Sequence, residues 1–242
     1  MTESLTKIDK DQRSALTSSS VGMEIGFWAA VFTTAFSAAF FIVGIFGTPY
    51  TAIGQYPYIP STINPIDYLW LYPAFFLAPT ICVLLVCVQQ IAPNPKKIFG
   101  QIGLTFALMY AVLITGLYFT QWTVVLPSIL DKQTEAISLF TQYNPHGFFV
   151  ALESLAYLLL NTALLAIVPI FSEERRIEAA LRWLFVVSFV ATVGAFVGLS
   201  LLHYNIVVFE VTIIAIDCLV LSASGILLSF MFKLDRRHSR LI

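Results

Sequence analysis

Charge is what this sequence has least of. Its 242 residues include 13 Lys and Arg and 14 Asp and Glu, so charged side chains make up 11% of the chain. A soluble domain carries about 25% charged residues, which cover its water-facing surface. Because 58% of the residues here are hydrophobic, the composition indicates a membrane protein. The formal net charge of −1 excludes nucleic-acid binding through a basic surface.

Cysteine and histidine are also scarce, with three of each. The cysteines lie in apolar stretches without CxxC spacing, which is typical of small packing residues. Three histidines are too few for a membrane di-iron oxidase. The sequence has no HExxH, GxSxG or P-loop motif and no lysine inside an apolar stretch. These absences leave no support for serine-hydrolase, ATP-driven or retinal-binding chemistry.

Long apolar stretches dominate the chain. A membrane-spanning helix needs about 20 apolar residues, and six stretches reach that length between polar or proline-rich breaks. The sequence therefore predicts an all-α, polytopic membrane protein with a bundle of six transmembrane helices. The predicted spans are residues 23–47, 66–91, 98–122, 146–171, 179–203 and 206–232.

The positions of Lys and Arg predict the orientation of these spans. Basic residues collect in short cytoplasmic loops, and only Lys132 falls on the other side of this segmentation. The sequence therefore predicts a multi-pass protein of the cell (cytoplasmic) membrane with both termini cytoplasmic. Residues 1–20 and 233–242 are read as cytoplasmic tails, and residues 21–232 as the transmembrane domain. The twelve basic residues assigned to the cytoplasmic side are Lys7, Lys10, Arg13, Lys96, Lys97, Arg175, Arg176, Arg182, Lys233, Arg236, Arg237 and Arg240.

Acidic residues inside the predicted spans are the main functional signal. At 3.6 residues per turn, helical spacing places two sets of polar residues each along one helix face. On the fourth helix these are His146, Glu153, Tyr157 and Asn161, and on the sixth they are Glu210, Asp217 and Ser224. The rise per residue puts Glu210 about 6 Å, Glu153 about 12 Å and Asp217 about 16 Å from the helix starts. If the two faces meet, the three acids form a ladder from the outer surface, with His203 and His146 at its mouth.

No Lys or Arg lies inside the apolar core of a span to neutralise these acids. A charged group near the membrane midplane costs about 2.5–3.5 kcal/mol, so such residues normally face the bundle interior and have a partner. Either the acids are protonated, or a cation from outside lies among them. The alternative is that protonated acids only hold helices together through hydrogen bonds.

Three local patterns add expectations about helix ends and contacts. Asn64-Pro65 and Asn144-Pro145 each combine an N-capping residue with a first-turn proline, which predicts sharp helix starts there. Gly194 and Gly198 form a GxxxG pattern in the fifth helix, which predicts close helix packing. We interpret it as internal packing in preference to dimerisation, and homo- or hetero-oligomeric contact through these glycines is the open alternative.

Metal and cofactor chemistry has little support. His146 and His203 lie at similar depth, so haem between them, or zinc with Glu153 or Glu210, is geometrically conceivable. Lone histidines at helix ends are, however, ordinary interface residues. The sequence assigns no metal site and leaves any cofactor unknown.

Three segments carry a resemblance. YNPHGFFVALESLAYLLLN (residues 143–161), QWTVVLPS (121–128) and INPIDYLWLYP (63–73) resemble segments of uncharacterised prokaryotic six-helix integral membrane proteins. The resemblance covers helices two to six. It implies a bacterial or archaeal cytoplasmic membrane and no known activity, so no residue role follows from it.

The leading hypothesis is an outward-opening acidic cavity that binds or transports a cation or small polar molecule, with or without proton coupling. Glu153 and Asp217 would be the principal ligands, Glu210 an entrance charge, and Tyr157, Asn161 and His203 hydrogen-bonding partners. The second hypothesis is a membrane-embedded enzyme acting on a lipid or isoprenoid, with Glu153 and Asp217 as acid and base. The third is an accessory subunit of a larger membrane complex. Whether the protein is an enzyme is therefore open at the sequence level.

Overall fold

Helices account for the secondary structure that the structure describes. The computed structural model of the chain describes residues 2–47, 54–55, 65–133, 137–201 and 205–239, and no strand occurs within these ranges. The six long α-helices are α1 Thr2–Gly47, α2 Leu71–Ile91, α3 Lys97–Thr120, α4 Phe148–Ala166, α5 Arg176–Leu201 and α6 Ile206–Ser239.

Each long helix contains a segment that is long and apolar enough to cross a membrane. The prediction of a multi-pass helical membrane protein is confirmed at this level. The outward-facing side chains agree with it, because large apolar groups such as Trp183 (70% exposed) and Val112 (70% exposed) lie on the bundle surface. Lipid solvates such side chains at no cost, whereas water does not. The candidate spans within the described residues are Val21–Phe46, Leu71–Ile91, Asn94–Leu130, Phe148–Ile170, Arg176–Leu199 and Val207–Arg236.

Shorter helical segments connect or extend these helices. α3 continues through a π-helical turn, Gln121–Val125, into a short α-helix, Leu126–Leu130. Pro127 lies at the start of that last segment, where a missing N–H is tolerated. Short 3₁₀ helices occur at Pro65–Tyr68, Asn94–Lys96, Ile137–Leu139 and Val168–Ile170.

Two helices extend beyond their predicted spans. α1 has 46 residues, so its length is about 69 Å, against about 30 Å for the hydrocarbon core of a bilayer. The polar segment assigned to an N-terminal tail is helical from Thr2 onward, and α6 likewise continues to Ser239. The chain therefore carries α-helical structure into both segments that the sequence assigned to tails.

The Asn144-Pro145 pattern does not begin a helix, so that expectation is wrong. α4 starts at Phe148, with Gly147 as its N-cap residue. Asn144 instead closes a turn, in which its Oδ1 accepts a hydrogen bond from the backbone N–H of His146 at 2.9 Å. Asparagine favours such local turns as readily as helix caps. Asn64 lies outside the described residues, and α2 begins at Leu71.

The six helices form a ring in chain order, closed by contact between α1 and α6, and α4 also touches α6. Glycines allow close approach within this ring. A Cβ placed on Gly26 would lie 2.6 Å from the ring of Phe232, and one placed on Gly225 would lie 2.7 Å from the carbonyl oxygen of Ala30. α1 and α6 are thus closely packed at these two glycines.

Ion pairs mark one end of the bundle, which we call the basic end. Arg175 pairs with Asp235 at 3.2 Å, and Arg236 pairs with Glu24 at 3.1 Å. The other end, which we call the opposite end, carries Tyr143 and Asn205 next to the starts of α4 and α6.

Gly194 and Gly198 are not used for internal packing in the described part of the chain, which corrects that interpretation. A Cβ placed on either glycine would meet no atom within 4 Å. In the apolar part of α5 only 22% of the residues are buried, which is the smallest share among the candidate spans. The face that bears these glycines therefore points outward from the bundle.

Candidate functional site

Two carboxyl groups from different helices meet near the opposite end. Glu153 on α4 is 2% exposed. Its side chain lies beside that of Glu210 on α6, and both line the same cavity. Two neighbouring carboxyl groups can share a hydrogen bond only when one of them is protonated, because an ionised carboxylate can only accept. We call Glu153 and Glu210 the carboxyl pair.

Two tyrosines complete the hydrogen bonding of Glu153. The hydroxyl of Tyr118 on α3 donates to Glu153 Oε1 at 2.7 Å. The hydroxyl of Tyr157, one turn along α4, donates to the same oxygen at 3.4 Å and lies 3.1 Å from the Tyr118 hydroxyl. Oε1 is therefore the acceptor of a buried network formed by α3 and α4.

The carboxyl pair lines a cavity of about 190 Å³ between α1, α4 and α6. Most of its wall is apolar or aromatic. The aromatic residues of the wall are Phe40, Phe41, Trp70, Tyr143 and Phe149. Its amide and acidic residues are Gln142, Glu153 and Glu210. No described Lys or Arg lines it. The cavity thus combines a carboxyl pair with an aromatic wall and no internal cation.

Three buried polar groups beside this cavity lack well-aligned partners. Gln142 and Tyr143 line the cavity, and Tyr68 lies against Tyr143. Gln142 Nε2, Tyr143 Oη and Tyr68 Oη are buried, and none makes a hydrogen bond of good geometry within the described residues. They nevertheless lie against one another. Burial raises the pKa of both Tyr68 and Tyr143, so their hydroxyls stay neutral donors. These groups are available to a bound water or ligand.

A second group of polar residues lies deeper, and we call Asn161, Ser188 and Asp217 the deep cluster. Asn161 Nδ2 donates to Asp217 Oδ1 at 2.6 Å and to the carbonyl oxygen of Tyr157 at 3.0 Å. Ser188 Oγ on α5 donates to Asn161 Oδ1. Asp217 Oδ2 is buried and has no hydrogen-bond partner among the described residues. Each member of the deep cluster is at most 2% exposed.

A small cavity of about 10 Å³ lies between the deep cluster and the tyrosine network, and it is lined by Tyr118, Tyr157 and Asp217 among others. This volume approaches what a single water molecule requires. The same two tyrosines that bond Glu153 thus border the space next to Asp217. One water there would lie between the tyrosine network and the deep cluster.

Beyond the deep cluster the core is apolar toward the basic end. Ser224, one further step on the polar face of α6, donates to the carbonyl oxygen of Leu221 in its own helix at 3.2 Å. The buried side chains that fill the centre from there include Leu164, Phe185, Leu228 and Phe232. Among the described residues, the buried acidic and amide groups therefore extend into the bundle from the opposite end.

The structure brings five of the seven residues proposed from the sequence into these two groups. Glu153, Tyr157 and Glu210 lie together at the carboxyl pair, and Asn161 and Asp217 belong to the deep cluster. Their role in ligand binding stays a prediction. His146 is exposed and lines neither cavity, whereas His203 lies outside the described residues.

Four participants were not among the residues proposed from the sequence. Tyr118 and Ser188 hydrogen-bond to Glu153 and Asn161, and Gln142 and Tyr143 line the cavity. A tyrosine or serine in an apolar span carries no desolvation signal as strong as that of an acid, so composition does not mark it. The spacing of Tyr110 and Tyr118, which places both on one face of α3, is the signal that points to Tyr118.

Within the described residues, no group of three or more His, Cys, Asp or Glu side chains is arranged to hold a metal ion. No family model, curated protein or solved structure matches this chain. We therefore infer the function from the geometry of the carboxyl pair, the deep cluster and the cavity.

Proposed function

We propose that this protein is a cell-membrane protein that binds a monovalent cation at the carboxyl pair in exchange for a proton. The observation that carries the proposal is the proximity of Glu153 and Glu210 in a cavity that no described Lys or Arg lines. Buried acids in a membrane protein commonly mark ion or proton pathways.

Charge balance favours exchange over simple binding. A net charge buried in an apolar environment is costly unless it is compensated. Replacing one proton of the carboxyl pair by one monovalent cation leaves the total charge of the site unchanged. Neither the free state nor the bound state then has to bury an additional charge.

The orientation follows from the basic residues. The positive-inside rule assigns the basic end to the cytoplasm, so both termini are cytoplasmic and the cavity opens toward the outside. The polar groups end at the deep cluster, so cations from water and the exchanged proton would pass through the outer face.

Calorimetry on the full-length protein in lipid nanodiscs tests this proposal. Na⁺, K⁺ and ethylammonium are titrated separately, in two buffers with different ionisation enthalpies. The expected result is that at least one of them binds with release of one proton, and that its affinity rises as pH rises. The Glu153→Gln/Glu210→Gln variant should lose binding, and each single variant should bind about 10- to 100-fold more weakly.

Glu173→Gln is the matched control. Glu173 is exposed at the basic end, where it pairs with Arg182 at 2.6 Å. The control removes one carboxylate without touching the cavity, so it should bind as the wild type does. Retention of binding and proton release by a correctly folded double variant would contradict the proposal.

A second candidate function is a membrane-embedded enzyme acting on a lipid or isoprenoid. The apolar cavity wall favours it. The residues facing the substrate would be Glu153 and Glu210, because Asp217 is not among the residues that line this cavity. One protonated and one ionised carboxyl group would supply the acid and the base. Mass spectrometry of lipid extracts should then show a species that depends on Glu210, and identical extracts from wild type and Glu210→Gln would exclude it.

A further inference from the structure

α1 and α6 are held together over only part of their length. Their glycine contacts at Gly26 and Gly225 lie toward the basic end. Closer to the membrane centre, Ser37 Oγ on α1 donates to the carbonyl oxygen of Cys218 on α6 at 2.9 Å. Beyond this bond, toward the opposite end, the two helices line the two sides of the cavity.

The cavity reaches the outer surface of the bundle between these helices. Ile45 on α1 is 45% exposed and Val211 on α6 is 43% exposed, and both line the cavity. Both residues lie within candidate membrane spans. Exposed apolar side chains within a membrane span face lipid, so an opening between these two residues would give lateral access to the carboxyl pair.

The wall also indicates which cations fit. Phe40 packs on Trp70 with ring centroids 5.6 Å apart, and Trp70 contacts Tyr118 edge-on at 5.3 Å. Aromatic rings attract cations through their π faces and solvate alkyl groups, whereas a small hydrated ion gains little from them. The wall also includes the apolar side chains of Val207 and Ile214, in addition to Ile45 and Val211.

We propose that the ligand is an amphiphilic monoalkylammonium compound that reaches the site from the membrane between α1 and α6. This inference rests on the proposed function, because the ammonium group would be the cation held by Glu153 and Glu210. The alkyl chain would lie along Phe41 and Phe149 and leave between Ile45 and Val211. Each methylene that enters the cavity strengthens binding about fourfold.

A comparison of ethylammonium, hexylammonium and neutral hexanol tests the inference. Each is titrated into full-length protein in nanodiscs, with protein-free nanodiscs as the blank for membrane partitioning. Hexylammonium should bind on the order of 100-fold more tightly than ethylammonium, with one proton released by each. Hexanol should bind far more weakly than hexylammonium.

Two tryptophan substitutions test the lateral path. Val211→Trp narrows the gap and should weaken hexylammonium binding by at least about tenfold, with less than about threefold effect on ethylammonium. Val190→Trp is the matched control, because Val190 is 63% exposed on α5 and does not line the cavity. Binding to the control should equal that of the wild type.

The outcomes separate the two proposals. Equal affinities for ethylammonium and hexylammonium, each with proton release, would overturn the amphiphile and leave the cation site. The absence of binding and proton release with every cation would overturn both. Hexanol binding as tight as hexylammonium binding, retained in Glu153→Gln/Glu210→Gln, would overturn the amphiphile and leave the cation site to the titrations with Na⁺, K⁺ and ethylammonium.

Discussion

Glu153 on α4 and Glu210 on α6 place their carboxyl groups side by side in the wall of one cavity. Tyr118 on α3 donates to Oε1 of Glu153 at 2.7 Å. Three helices therefore converge on two acids, which line the cavity of about 190 Å³. A change in protonation or ligand binding at this pair would therefore alter the contacts between the three helices.

Removal of one hydroxyl tests the tyrosine network. Tyr118→Phe deletes the donor to Glu153 and leaves the ring in place, so the protein should fold. A buried hydrogen bond between membrane helices contributes about 1 kcal/mol, so the free energy of unfolding should fall by that amount. Cation affinity should change as well, because Glu153 Oε1 loses its nearest donor. Tyr72→Phe is the control, since Tyr72 is 54% exposed, and an equal effect of both substitutions would contradict a specific role.

The deep cluster should contribute to stability through Asn161. Asn161→Leu removes the donor to Asp217 and the acceptor of Ser188, and leaves Asp217 buried without a partner. Such losses cost about 1–3 kcal/mol of the free energy of unfolding. The adjacent Thr162→Val deletes only a bond to its own helix and should cost less than about 0.5 kcal/mol. Reversible unfolding of the detergent-solubilised protein by denaturant measures the free energy of unfolding of both variants. Similar values for the two would argue against the deep cluster as a structural contact.

Much of this architecture can be predicted from sequence because membrane insertion leaves strong signals. Apolar length determines the six helices, and the cost of burying Glu153 and Asp217 makes them conspicuous. The 3.6-residue period then places Tyr157 and Asn161 on the face of Glu153. Sequence spacing does not show that Asp217 meets Asn161 while Glu210 meets Glu153, because the relative height of two helices depends on packing across the whole bundle.

Local conformational choice explains the failure at Asn144. An asparagine oxygen can accept from a helix N–H or from a turn N–H with similar energy. In this structure Asn144 forms the turn, and its backbone carbonyl oxygen also accepts a hydrogen bond from the N–H of Gly147 at 3.0 Å. The glycine packs closely, since a Cβ there would lie 2.7 Å from the carbonyl oxygen of Leu139. That tertiary contact is invisible in the sequence and moves the helix start to Phe148.

Tyr68 and Tyr143, which are buried beside the cavity, predict that the stability of the protein depends on pH. Burial raises the pKa of Tyr68 and Tyr143 in the folded protein, whereas an unfolded tyrosine ionises at about pH 10. The folded state therefore retains protons that the unfolded state loses, so this contribution to stability is complete below about pH 10 and is lost above it. The phenolate absorbance of folded wild type and Tyr143→Phe should coincide at pH 10, and should differ after denaturation. A difference in the folded state would show that Tyr143 is accessible to solvent.

Substitutions at Gly194 and Gly198, on the outward face of α5, test whether this face contacts lipid or another subunit. Gly194→Ala and Gly198→Ala should fit without steric conflict, because an added Cβ meets no atom within 4 Å. Each substitution should stabilise the isolated chain by up to about 1 kcal/mol, since alanine favours a helix over glycine. Gly194→Leu should also leave a monomer intact, but in an oligomer packed through this face it would force the helices apart. Cross-linking in native membranes measures the oligomer directly: a cross-linked species lost in Gly194→Leu supports the contact, and an unchanged pattern assigns the face to lipid.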